Sequence, residues 1–188
     1  MAGNLREEGL YIQTGNPFSV NEVSPQFAPG QLGKVSAFSN AGNENGVSGE
    51  VGILVQNVQR YATDTVAVIQ GGLAFWQDMD NFVVTGEPAN AIGGTTEPIP
   101  AGIWGGTLPA AGNFGFIQVA GVAPGRFADS TSVATVGKNL IWATNHQLKQ
   151  AGTQDSDSPV VAVLKTLNTA TTTNISAEVL LNLPVHTW

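Results

Sequence analysis

Two stretches of the chain present carboxylates two residues apart, the pattern in this sequence that most suggests metal chemistry. Asp78 and Asp80 form the first pair, and Asp155 and Asp157 form the second. On a strand this spacing places both side chains on one face, where they could hold Ca²⁺ together with backbone oxygens. Neither stretch has the glycine and distal glutamate of a calcium loop, and Asp favours turns because it bonds its own backbone. We interpret both pairs as turn residues, with a metal site as the alternative, and expect no cofactor.

The two histidines lack the partners that hydrolytic catalysis requires. A Ser–His–acid set needs His beside an activated Ser, and the chain has no Gly-x-Ser-x-Gly motif that would present one. His146 lies in a polar Asn-His-Gln stretch typical of a turn, and His186 lies near the last residue, where chains are usually mobile. We expect surface or capping roles for both side chains, and we predict that the protein is not an enzyme.

The four tryptophans could contribute to recognition, because exposed aromatic rings can stack on sugars. Trp76 and Trp142 hold equivalent positions in an internal repeat, which favours packing in a core. Trp104 lies in the glycine-rich stretch 100–106, which we expect to be flexible, so Trp104 is the tryptophan expected to be exposed. Trp188 is the last residue and a candidate contact with a neighbouring subunit, since large aromatic side chains are frequent interface anchors.

The internal repeat appears when the chain is compared with itself at an offset of 66 residues, from Arg60 to Arg126. The shared order of unlike residue types favours a duplicated β unit over a chance match. The stretch Phe114–Gly121 would then close the first unit and open the second. The coinciding positions are Arg60-Tyr61-Ala62 with Arg126-Phe127-Ala128, Thr65 with Thr131, Gly71 with Gly137, Trp76 with Trp142, and Gly86 with Gly152.

Short runs of β-branched and aromatic residues recur between turn residues, and no long stretch keeps a helical period. Turn residues fall roughly every 8–12 positions, the spacing typical of an all-β sandwich or barrel. We predict an all-β barrel or sandwich of two related β units, at residues 34–121 and 114–188, packed together. A helix over 140–150 is the less favoured alternative there, because Thr, Asn and His favour other states. The predicted strands are Lys34–Phe38, Val51–Val58, Thr65–Gln70, Leu73–Gln77, Phe82–Thr85, Phe114–Ala120, Ser132–Val136, Asn139–Ala143, Val160–Leu164 and Ala177–Leu183.

The first 33 residues differ from the rest, and we predict an extended N-terminal arm there. Prolines recur through residues 16–33, and each removes a ladder donor, so a central strand is not expected. An N-terminal strand and loop packed on its own domain is the alternative. An arm that reaches a neighbouring subunit would contact it through prolines and aromatic rings. The contact candidates are Pro17, Phe18, Pro25, Phe27 and Pro29, together with Trp104 and Trp188.

Composition and charge argue against several functions. Charged residues make up 11% of the chain, against about 25% in a typical protein. The formal net charge is −7, with only seven Lys and Arg, and nucleic acids and anionic membranes are bound by basic patches. We therefore expect no nucleic acid and no membrane as a partner. There is no cysteine, which excludes disulfides and thiol catalysis, and the first residues lack the apolar core of a signal peptide.

The segment Leu73–Thr85, followed by Ala91-Ile-Gly-Gly94 and Gly112–Gly121, resembles the capsid decoration, or cement, proteins of tailed bacteriophages. In those small β-rich head proteins a strand ending in Tyr-Trp-Asp or Val-Trp-Asp precedes a turn, Val-Thr, Ile-Gly and an alternating strand. Here Phe75-Trp76-Gln77-Asp78 carries the pattern, and Ile141-Trp142-Ala143 carries it more loosely. The resemblance covers about residues 48–188, and the presence of two units departs from the simplest members.

The resemblance implies a structural virion protein on the capsid surface, which bridges major capsid subunits after assembly in the bacterial cytoplasm. Low charge and an arm favour a homo-oligomer, and a trimer would suit threefold capsid positions. One alternative is a carbohydrate- or receptor-binding β module of a phage fibre or spike, carried by Trp104 and the Asp pairs. Another is a different virion part, such as a major capsid or tail-tube subunit.

Overall fold

The computed structural model of the chain describes residues 10–11, 22–24, 27–35, 53–65, 70–105, 109–127, 136–143, 146–152, 160–164 and 175–183. Within these residues all regular secondary structure consists of β-strands, apart from one 3₁₀ turn at Pro88–Asn90. The prediction of an all-β barrel protein is confirmed. The strands are β1 (Leu10–Tyr11), β2 (Leu32–Val35), β3 (Ile53–Arg60), β4 (Leu73–Asp78), β5 (Val83–Thr85), β6 (Pro100–Ile103), β7 (Phe114–Phe127), β8 (Asn139–Trp142), β9 (Leu148–Gln150), β10 (Ala162–Leu164) and β11 (Ile175–Asn182).

Strand pairing closes a first ring of five strands, in the order β3-β5-β4-β6-β7 and back to β3. β3 and β5 are parallel, while the other neighbours are antiparallel. A closed ring leaves no unpaired strand edge along its wall. We call this the first ring.

A second ring closes in the order β7-β9-β8-β10-β11 and back to β7. Its single parallel pair is β7 with β9, and its other neighbours are antiparallel. The two rings therefore connect their strands in the same order and share β7, which is the last strand of the first ring and the first strand of the second.

β7 changes rings at Ala120, which is paired with Leu54 of β3 on one side and with Asn182 of β11 on the other. The next residue, Gly121, has a φ of 90°, a conformation that side chains rarely adopt and glycine adopts readily. Gln118 stabilises this region, since its Nε2 donates to the backbone oxygens of Ala120 (3.2 Å) and Val122 (2.8 Å).

The interior of the first ring is one of two hydrophobic clusters. Alternate residues of β7 point inward, so Ile117 and Val119 enter the first ring with Trp76 and Trp104. Trp76 packs edge-on against Phe82, with ring centroids 6.2 Å apart.

The second cluster fills the second ring and joins it to the first. Ala123 and Phe127 of β7 belong to it, as do Leu73 and Phe75 from β4 of the first ring. The ring of Phe75 meets that of Trp142 edge-on at 6.2 Å. Because one apolar cluster holds residues of both rings, the rings pack together across β4.

The described residues from Glu22 onward in the predicted N-terminal arm lie on the first ring of the same chain. Asn57 holds this segment: its Nδ2 donates to the Phe27 oxygen (2.7 Å), and its backbone oxygen accepts from the Gly30 N–H (2.8 Å). Upstream, Glu22 forms a bridge with Phe114. β2 then continues antiparallel to β3.

Two strands lie where the sequence predicted something else. β6 (Pro100–Ile103) is fully buried, although this stretch was predicted to be flexible. β9 (Leu148–Gln150) lies in the stretch with a helical alternative, so that alternative is wrong. The predicted strands Thr65–Gln70 and Ser132–Val136 fall almost entirely outside the described residues.

Candidate interaction surface

Three apolar side chains lie in register across the outer surface of the second ring. Leu180 of β11 is directly opposite Val122 of β7 on one side and Val163 of β10 on the other. Leu180 is 44% exposed, and both valines are half-buried. We call Val122, Leu180 and Val163 the outer row.

The outer row follows from the alternation of side chains along a strand. In β11, Val179 and Leu181 are buried in the second ring, so Leu180 between them must face outward. A single exposed Leu is ordinary, whereas apolar side chains on neighbouring strands form a patch, and such patches often mark protein contacts.

Few charges border the outer row. Pro124 and Glu178 are opposite each other one step along the ladder, and Asn139 is opposite Val163. Glu178 is thus the one ionisable side chain among these six ladder positions. These positions therefore offer a partner mainly apolar contact and little charge pairing.

A second exposed apolar pair lies on the β5–β6 connection. The Ile99 N–H donates to the Ile92 oxygen at 3.2 Å, so the two residues face each other across a short hairpin. Ile92 is 38% exposed and Ile99 is 39% exposed. Ile92 and Ile99 are about as exposed as Leu180 but belong to the other ring. A substitution at Ile92 can therefore serve as a control for a substitution at Leu180.

Trp104, predicted to be exposed and to contact a partner, is buried, so that expectation is wrong. It is 1% exposed and packs in the first-ring cluster. Its backbone is also fixed, because its N–H donates to the Gly72 oxygen (2.9 Å) and its oxygen accepts from the Gly71 N–H (2.7 Å). The indole is therefore not placed to stack on a ligand or a partner.

The other predicted contact residues are divided between the first ring and the part of the chain that is not described. Phe27 is half-buried, and its ring packs on that of Phe116 at 5.6 Å. Pro29 is half-buried in a turn closed by the Gln31 N–H on the Ala28 oxygen. Both residues contribute to the attachment of the N-terminal segment. Pro17, Phe18, Pro25 and Trp188 lie outside the described residues.

The first carboxylate pair forms a turn after β4. Asp78 accepts from the Asn81 backbone N–H (3.1 Å) and from the Asn81 side-chain amide (2.7 Å). These hydrogen bonds, the side-chain one first, lower the pKa of Asp78 from its ordinary value. Among the described residues no group of three or more His, Asp or Glu could hold a metal ion. Asp155 and Asp157 lie outside the described residues.

A buried charged pair was not predicted from the sequence. The Arg60 Nε donates to Asp64 Oδ2 at 3.1 Å, and both residues are less than a tenth exposed. Arg60 Nη1 also donates to the Pro109 oxygen (2.8 Å), and the Gly86 N–H donates to the same Asp64 oxygen atom (3.0 Å). The pair therefore stabilises the fold, because it joins the end of β3 to the connections that follow β5 and β6.

His146 was predicted to have a surface or capping role, and the surface role is wrong, because the residue is only 9% exposed. Burial is the largest cause that lowers the pKa of His146; Arg126 lowers it further, and Asp64 opposes this. His186 lies outside the described residues.

The comparisons with known proteins give no family for this chain. No protein-family model matches it, and no curated protein is similar to it at a significant level. In the described part of the chain, no helix is long and apolar enough to cross a bilayer.

Proposed function

We propose that this protein is a non-enzymatic structural component of a tailed-bacteriophage head, which binds the outside of the capsid and stabilises contacts between major capsid subunits. The resemblance of Leu73–Thr85 and Gly112–Gly121 to capsid decoration proteins supports the choice of partner. These segments form β4, β5 and the first half of β7, which are strands of the first ring.

The outer row is the observation on which the proposal depends most. It presents Val122, Leu180 and Val163 on three neighbouring strands of a closed ring, whose backbone is already paired. Binding there would bury side chains without adding a strand. A specific interface normally buries about 1,200–2,000 Å² in total, so the row would form the centre of a larger contact.

The sugar-binding alternative has less support from the described residues. It depended on an exposed Trp104 and on the carboxylate pairs. Trp104 is buried, and Asp78 is engaged with Asn81 in a turn.

Co-sedimentation with capsids of the same phage, isolated without this protein, tests the proposal. The wild-type chain should bind at a fixed ratio to the major capsid protein. Leu180→Asp should weaken binding roughly thirtyfold, because the loss of a central apolar contact costs about 2 kcal/mol. Ile92→Asp is the matched control, since Ile92 is similarly exposed and lies on the other ring.

The possible outcomes distinguish the proposed capsid binding from the choice of the outer row as the binding surface. Failure of the wild-type chain to sediment with capsids would reject the capsid function. Equal binding by the Leu180 and Ile92 variants would keep the function and reject the outer row as the contact. Circular dichroism spectra of the variants should match the wild-type spectrum, because both substitutions are at exposed positions.

A further inference from the structure

A short backbone segment, Gly71–Leu73, adds hydrogen bonds to the contact between the two rings. The Arg126 N–H at the end of β7 donates to the Gly71 oxygen at 3.0 Å. The Leu73 N–H donates to the His146 oxygen at 2.8 Å, which attaches the β8–β9 turn of the second ring to β4 of the first. Among the described residues, His146 thus provides a backbone attachment of the second ring to β4.

The imidazole of His146 is enclosed at the same place. The residue is 9% exposed, and its Nδ1 makes no hydrogen bond to any described residue. Its turn is held by the Ala143 N–H, which donates to the Gln147 oxygen at 2.9 Å. A neutral imidazole can remain in such a setting at moderate cost, whereas a charged one must pair or be hydrated.

Charged groups from two other elements act on the imidazole. Arg126 of β7 opposes its protonation, and Asp64, after β3, favours protonation. Asp64 is already engaged by Arg60 and by the Gly86 N–H. Both of these contacts use Asp64 Oδ2, while Oδ1 makes no hydrogen bond to a described residue. Arg126 nevertheless opposes protonation of His146 more than Asp64 favours it. β4 carries no charge beside Leu73, and the β8–β9 hairpin itself carries Lys149.

We propose that His146 makes the contact between the rings sensitive to acid: when the imidazole is protonated, His146 leaves β4, and the Leu73–His146 hydrogen bond opens. The closed ladders of both rings remain intact, because their pairing does not involve His146. The inference concerns the chain alone and holds whether or not it binds capsids.

The direction of the pH effect follows from linkage. The pKa of His146 is lowered in the folded protein, so the unfolded or locally opened chain takes up a proton at a higher pH than the closed one. The closed contact is fully stable above the ordinary histidine value of about 6.5. Its stability falls as the pH drops through and below that value, until the closed form is itself protonated.

Amide hydrogen exchange at single residues tests the proposal. Between about pH 7.5 and about pH 5, the range in which histidine titrates, protection of the Leu73 amide should fall by about tenfold per unit of pKa difference, after correction for intrinsic rates. The Trp76 amide lies on the same strand and donates to the Ile99 oxygen within the first ring, so its protection should not change.

Substitutions of the two histidines complete the experiment. In His146→Gln the pH dependence at Leu73 should vanish, whereas His186→Gln should retain it, which assigns the effect to one imidazole. If Leu73 protection is constant while the His146 imidazole signal titrates, the proposal is wrong. Parallel loss of protection at Leu73 and Trp76 also contradicts it, because that pattern means that the whole chain unfolds. The wild-type measurement decides the matter if His146→Gln does not fold.

Discussion

Gly30 lies against the aromatic ring of Phe82, so closely that a Cβ added at Gly30 would overlap the ring. Phe82 is fully buried in the first ring and has a φ of 54°, which few residues other than glycine adopt. The N-terminal segment therefore passes directly over a core aromatic side chain. The absence of a side chain at Gly30 is what allows this approach.

Gly30→Ala should destabilise the protein through both backbone strain and overlap. Gly30 has a φ of 80°, where alanine costs about 1–2 kcal/mol, and overpacking adds about 1–3 kcal/mol. Gly137→Ala is the matched control, because Gly137 has a φ of 83° and no atom lies within 4 Å of its added Cβ. Urea denaturation should therefore show a larger loss of unfolding free energy for the Gly30 variant. Equal losses would mean that Phe82 moves aside freely.

Asp64→Asn should be strongly destabilising. The substitution leaves the buried Arg60 guanidinium without its charged partner, and breaking a buried pair in this way costs about 3–5 kcal/mol. In a chain of this size, thermal unfolding should occur roughly 10 °C lower. Glu97→Gln, at an exposed carboxylate on the β5–β6 connection, should leave the melting temperature unchanged. A melting temperature within about 2 °C of wild type for Asp64→Asn would show that the pair contributes little.

Asn81→Ala should raise the pKa of Asp78. The Asn81 side-chain amide is the largest cause of the lowered pKa, and the backbone N–H of residue 81 remains in the variant. The pKa should therefore move part of the way to its ordinary value. Because the folded pKa is lowered, this turn adds stability that is lost as the pH falls through the folded value. A carboxyl NMR titration measures the change, with Asn90→Ala as a control that should leave Asp78 unaffected. No change in Asn81→Ala would contradict the assigned cause.

The sequence predicted the features that depend on local pattern. Alternation and turn spacing indicated strands at Leu73–Gln77 and Asn139–Ala143, close to β4 and β8. The two tryptophans of the repeat were assigned to cores, and Trp76 is buried while Trp142 packs against the second cluster. These features could be predicted because a strand has a fixed side-chain period.

Features that depend on distant contacts could not be predicted in this way. Glycines in the stretch 100–106 suggested flexibility. Gly102 instead allows β6 to lie close against β7, because an added Cβ would be 2.7 Å from the backbone oxygen of Gln118. His146 looked like an exposed turn residue, yet it is buried, and its backbone oxygen accepts from the Leu73 N–H of β4. The exposure of Leu180 required the register of β11 between β7 and β10.

Heat-induced release of DNA from phage heads tests the central claim most directly. Heads that carry the protein should retain DNA to a higher temperature than heads without it, and adding back the wild-type chain should restore the difference. Leu180→Asp should fail to restore it, while Ile92→Asp should succeed. Identical release temperatures with and without the protein would contradict the account.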